Sequence, residues 1–65
     1  VNYVGKYFTI WGSLPFRVDG FINGRYYITF SDGYQSRRTP YEIEIHAVPS
    51  TKEEFMLYAL AGEGG

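Results

Sequence analysis

Sixty-five residues hold one domain at most; they include seven Tyr, five Phe and one Trp, no cysteine, and a formal net charge of −1. A chain this short buries only about 60% of its unfolded surface; with no disulfide and no Cys-based zinc site to staple it, aromatic rings must supply the core. The charge argues against a protein that simply coats nucleic acid, and the longest apolar run, residues 55–61, falls far short of a membrane span.

The charge is unevenly placed. Residues 1–40 carry Lys6, Arg17, Arg25, Arg37 and Arg38 against Asp19 and Asp32, a net +3, and residues 41–65 carry Lys52 against Glu42, Glu44, Glu53, Glu54 and Glu63, a net −4. Such a chain either neutralises itself or offers its basic body to an acidic partner. No cationic start followed by an apolar stretch opens the chain, so a cytoplasmic location is the expectation, and the lack of cysteine fits a reducing compartment.

In chain order, residues 6–11 read as a first strand, with Tyr7, Thr9 and Trp11 on one face and Phe8 and Ile10 on the other. Residues 16–22 form a second strand, Asn23-Gly24 a two-residue hairpin turn, and 25–30 a third strand. Register refines this hairpin. Pairing Ile22 with Arg25 puts Asp19 on the apolar face of Tyr26, Ile28 and Phe30, unless one extra residue near Asp19-Gly20 restores Val18 and Phe16 to that face; a β-bulge at Gly20 is therefore predicted.

A two-residue turn at Asp32-Gly33 would drive Arg37 into the core. A three-residue loop with Gly33 left-handed instead pairs Phe30 with Tyr34 and Tyr27 with Arg37. It also sends Arg38 to the inner face, which requires the strand end to have left the core. After Pro40, residues 42–48 alternate as a fifth strand, with Ile43, Ile45 and Ala47 inward and Glu42, Glu44 and His46 outward. Ser50-x-x-Glu53 has the form of a capping box opening a short helix over about 50–61, stopped by Gly62, with 62–65 as a tail. That helix is apolar all round, so it is either wedged under the barrel or turns its surplus face to another chain; a sixth strand is the alternative. The sum is a mostly β single domain, a small five-stranded barrel with a C-terminal helix.

Catalytic chemistry finds no motif. His46, between acidic neighbours, reads as a surface histidine, and with Glu44 it would lack a third metal ligand. No phosphate-cradling glycine motif is present, and neither a catalytic residue, a metal nor a cofactor is expected. Binding fits better. Trp11 and Tyr34 sit at strand ends where rings can stack on bases or surround a methylated cation. Arg37 and Arg38, beside Tyr27 and Tyr34, have the geometry to grip a phosphate or carboxylate.

Residues 6–48 resemble a Tudor domain within the SH3-like barrels. The likeness rests on "YFTIWGSLPFRVDGFINGRYYITFSDGYQSRR": a strand ending in Trp, a polar loop, an aromatic opening the next strand, a bend, an alternating strand ending in an aromatic, a Gly turn and another aromatic. The resemblance implies an SH3-like fold and a cage of Trp11, Phe16, Phe30 and Tyr34 for methylated arginine or lysine. Three residues separate Phe30 from Tyr34, where the family usually has Y-x-x-Y, and Gln35 and Ser36 stand where an Asn commonly follows.

The reading reached is a non-enzymatic barrel binding a protein or peptide through a groove around Trp11, Tyr27 and Tyr34, with Arg37 and Arg38 at its rim. Residues 51–61 are expected to mediate self-association or to dock on the partner. A chain of this size also matches small accessory or inhibitory proteins such as phages encode. The rival is nucleic-acid binding through Lys6, Arg17, Arg25, Arg37 and Arg38.

Overall fold

Two reversals in which backbone φ turns positive organise the sheet. Asn23 (φ 52°) and Gly24 (φ 80°) join β2 (Phe16–Ile22) to β3 (Arg25–Phe30), and Gly33 (φ 92°) turns the chain into β4 (Gln35–Arg38). A computed structural model describes residues 2–10 and 12–63 of the protein. It adds β1 (Tyr7–Ile10), β5 (Ala47–Pro49) and two helices, α1 (Pro40–His46) and α2 (Lys52–Glu63). The five strands make one antiparallel sheet in the order β4-β3-β2-β1-β5. The barrel expected from the sequence does not close: β4 and β5 are the two edges, and no ladder joins them.

The register agrees with the sequence expectation at both hairpins. Val18 pairs with Ile28 and Gly20 with Tyr27, leaving Asp19 as the extra residue of a bulge. That insertion keeps Phe16 and Val18 on the face of Tyr26 and Ile28. Asp19 itself turns outward, where it pairs with Arg17 at 2.7 Å and accepts from the Thr29 hydroxyl. In the second loop Phe30 N–H donates to Tyr34 C=O at 2.8 Å, and Tyr27 lies opposite Arg37.

One face of the sheet carries the core: Phe8, Phe16, Val18, Tyr26 and Ile28, with Ile43 arriving from α1. Their rings form a file across that face. Tyr3 meets Phe8 edge-on at 5.6 Å, Phe8 lies 6.2 Å from Phe16, Phe16 meets Phe30 at 5.6 Å, and Phe30 lies 6.1 Å from Tyr34. Each buried large side chain contributes about 1.5–3 kcal/mol, and the edge-on ring pairs add to that.

The segment expected as a fifth strand is a helix for most of its length. Thr39 caps it: its N–H donates to Glu42 Oε1 at 3.1 Å, and Glu42 N–H donates to Thr39 Oγ1 at 3.2 Å. Pro40 at the first helical turn fits the same signal. Of the two isoleucines expected to point inward, Ile43 is 2% exposed and Ile45 59%. Only Ala47–Pro49 remain extended, pairing with β1. The helix is favoured because the connection runs from one edge of the sheet to the other, and a capped turn delivers Ile43 to the core on the way.

At the C-terminus the cap falls one residue later than Ser50. Ser50 N–H is still donating to Tyr7 C=O at 2.9 Å, which holds that residue extended beside β1. Thr51 Oγ1 therefore accepts from Glu54 N–H at 3.1 Å, and Ser50 donates to the Glu54 carboxylate at 2.9 Å. Gly62 does not stop α2, which runs to Glu63. No sixth strand forms among the described residues, and none of their helices is long and apolar enough to cross a membrane.

Candidate functional site

Strand parity distributes the expected binding residues over two faces. Tyr34 follows Phe30 onto the core side, where it is 66% exposed and tilted by 30° against the Phe30 ring. Arg38 lies on the same side, at the β4 position opposite Tyr26. Its side chain runs back along the strand. Nη1 donates to Ser36 Oγ at 2.8 Å and to Arg37 C=O at 2.7 Å, and the guanidinium carbon stands 5.8 Å from the centre of the half-buried Phe30 ring. This is how a cation is tolerated at the inner end of the strand: its head covers a ring whose π face is negative.

Tyr27 and Arg37 are paired on the face opposite the core, so the structure does not bring Tyr27 together with Tyr34, nor Arg37 with the Phe30 ring. Phe16 is fully buried between Phe8 and Phe30, with no surface to offer a ligand. Trp11 lies outside the described residues. What remains on one surface is a cluster of Phe30, Tyr34 and Arg38, fixed beneath by the file of core rings.

Beside it runs a groove of about 310 Å³ lined by Arg25, Ser36, Arg37, Arg38, Thr39 and Glu42. From the sequence, Arg25 joins Arg37 and Arg38 only as one of five cations of the basic body. The join follows from the hairpin, since Arg25 opens β3 directly beside the Tyr26–Arg38 pairing that ends β4. None of these three arginines makes an ion pair among the described residues, where the sole such contact is Arg17–Asp19. The carboxylate in the groove, Glu42, is held below the ordinary range, first by the Thr39 backbone N–H and further by the Thr39 hydroxyl and by Arg38. It stays ionised and leaves the groove with an excess of positive charge.

The other cations are placed elsewhere. Arg17 is bound to Asp19, which raises its affinity for its proton, and its guanidinium lies 5.9 Å from the Phe55 ring. Lys6 lines a separate depression with Tyr3, Tyr7, Phe8, Pro49 and Ser50. Among the described residues, the carboxylates of the C-terminal part form no ion pair with the basic part: Glu44 accepts from Tyr3, Glu42 from Thr39 and Glu54 from Ser50. No group of three His, Cys, Asp or Glu side chains among the described residues is arranged to hold a metal ion.

A second surface is apolar. α2 touches the sheet through Phe55, whose ring packs 5.3 Å from Tyr7. Met56, Leu57 and Leu60 are exposed on the opposite side of the helix and, with Lys52 and Glu53, line a shallow trough of about 500 Å³. The sequence carries the signal for this surface in its run of apolar residues with no polar face. Comparison of the chain with protein-family models, curated proteins and solved structures gives no match.

Proposed function

We propose that this protein is a non-enzymatic binding module that recognises an extended segment of a protein partner at the Phe30–Tyr34–Arg38 cluster. The observation that carries the reading is the exposed Tyr34 ring resting on Phe30, with the Arg38 guanidinium over that same Phe30 ring. Tyrosine and arginine held rigid at a surface are the residue types that dominate recognition energy, because little side-chain entropy is lost when they are covered. β4 is an edge strand, so a peptide can add along its free backbone while the cluster reads an apolar or aromatic side chain and Arg38 an acidic one.

The resemblance to SH3-like, Tudor-like barrels belongs to the same reading. It is supported by the strand order, the bulge before Gly20 and the aromatics at the two turns, here on a sheet that stays open. A methyl-cation cage is less well supported, since Phe16, one of its four walls, is sealed in the core. Nucleic-acid binding is the second reading, favoured by the convergence of Arg25, Arg37 and Arg38 on one groove.

Selection from a displayed peptide library on the immobilised chain, followed by titration of an enriched peptide, tests the proposal. Tyr34→Ala and Arg38→Ala should each weaken binding by about tenfold or more, while Tyr27→Ala on the opposite face leaves it nearly unchanged. Equal losses at Tyr27, or indifference to Tyr34, refute the assignment. A single-stranded oligonucleotide whose affinity falls steeply with salt and vanishes in Arg25→Ala/Arg37→Ala/Arg38→Ala would transfer the function to nucleic acid.

A further inference from the structure

Like charges set beside one another across a sheet destabilise it unless a counter-charge lies between them. Arg25 and Arg37 are such a pair. Tyr27 pairs with Arg37, and Arg25 precedes Tyr27 by two residues in β3, so the two arginines share the face opposite the core as diagonal neighbours. Their exposed guanidinium groups make no ion pair and no hydrogen bond among the described residues. Arg38 lines the same groove. Its Nη1 is held by Ser36 and the Arg37 carbonyl, and its Nε and Nη2 have no hydrogen-bond partner among those residues. Glu42 is committed to the Thr39 cap. The lining side chains are all polar or charged, and three arginines against one glutamate leave a net +2.

We infer, resting on the peptide reading above, that this groove receives the phosphate of a phosphorylated side chain on the partner segment. Charge selects the ligand. A phosphomonoester brings about −1.5 to −2 at neutral pH and three acceptor oxygens, enough to balance the groove and to meet three guanidinium groups. A carboxylate brings a single negative charge and leaves one cation uncompensated. An apolar ligand finds no apolar wall to cover. Placement selects the source. A nucleic-acid strand needs cations along a track of successive phosphates, but Arg17 is bound to Asp19, and Lys6 lies in a separate depression beside Tyr3 and Pro49. The unpaired arginines are gathered at one point beside the Phe30–Tyr34–Arg38 cluster, and Arg38 belongs to both. One segment laid along the β4 edge therefore presents an apolar or aromatic side chain to the cluster and a phosphate to the groove.

Two measurements on the full chain test this. In the first, N-acetyl-O-phosphoserine amide is titrated while the arginine Nε–H resonances are followed by NMR. The signals of Arg25 and Arg37 should shift saturably, and N-acetylglutamate amide should bind roughly tenfold more weakly or worse. Arg25→Gln/Arg37→Gln should lose the response and Lys6→Gln keep it, with both circular-dichroism spectra unchanged. No shift, equal affinity for the two probes, or a response that survives the double substitution overturns the inference. In the second, phosphoserine replaces each residue in turn of a peptide selected on the chain. One position should raise affinity by about tenfold or more, a gain that disappears in Arg25→Gln/Arg37→Gln, while Tyr34→Ala weakens both forms of the peptide. If no position gains although Tyr34→Ala still weakens binding, the phosphate site falls and the peptide reading stands. If the phosphate gain is present and Tyr34→Ala has no effect, the groove stands and the aromatic cluster falls. A single-stranded oligonucleotide held more tightly than the phosphopeptide through the same arginines overturns the inference in favour of nucleic acid.

Discussion

Residues 43 and 45 provide a direct test of the connection between β4 and β5. In a strand their side chains share one face, and both would lie against the core; in α1 they diverge by about 200°. Ile43 is 2% exposed within the core cluster and Ile45 is 59% exposed. Truncating a buried isoleucine to alanine costs about 2–5 kcal/mol, the lost transfer energy plus the cavity left behind. A domain of this length has only about 3–10 kcal/mol in hand. Ile43→Ala should therefore lower the thermal midpoint by roughly 10 °C or more, or leave the chain largely unfolded. Ile43→Val, which removes one methylene, should cost about 0.5–1.5 kcal/mol and remain measurable. Ile45→Ala should change stability by no more than about 0.5 kcal/mol, because exposed substitutions rarely do more and alanine is the better helix former. Urea titration followed by far-ultraviolet circular dichroism gives all three values. Comparable losses at the two positions would refute the helix and restore the strand.

Two further outcomes follow from the same geometry. Glu42 is held below the ordinary carboxylate range by the Thr39 backbone N–H and hydroxyl, so its ionised form adds stability above the unfolded value near pH 4.3, and that stability is lost as pH falls through its lower folded value. The advantage of wild type over Glu42→Gln in thermal midpoint should thus shrink between about pH 6 and about pH 3, and Thr39→Ala should cost about 1 kcal/mol at neutral pH. At the bulge, Asp19→Ala should cost less than about 1 kcal/mol, the ordinary worth of an exposed ion pair. Deleting Asp19, the extra residue of the bulge, leaves Val18 opposite Ile28 and Phe16 opposite Phe30, so the cooperative unfolding transition should survive.

Where polarity and register constrained one another, the sequence was decisive. A carboxylate at residue 19 could not lie among Tyr26, Ile28 and Phe30, and that conflict located the bulge. Arg37 could not face the core, and that selected the three-residue loop. Residues 42–48 misled because Ile-Glu-Ile-His satisfies a period of two over a length where helix and strand patterns are hard to separate. The deciding signal was Thr39-Pro40-x-Glu42, a helix start in which Pro40 served as the first helical residue and not as the border of a strand. The candidate site was half legible. Tyr34 is exposed against Phe30, the ring that Arg38 also covers, and the groove joining it to Tyr27 does not form, because Tyr27 pairs with Arg37 on the other face. Arg25 was already counted in the basic body; the hairpin brings it beside Arg37 and Arg38 and leaves Lys6 and Arg17 elsewhere.

The strand order also bears on how the chain assembles. β2, β3 and β4 are joined by tight hairpins, whereas β5 must find β1 across nearly the whole domain, Thr9 meeting Val48. Closing long loops is entropically slower than zipping hairpins, so the three-stranded meander is expected to nucleate and the β1–β5 ladder to complete the fold. Phe55 packs on Tyr7 of β1, so the last helix is expected to dock late in folding and to be released early in unfolding.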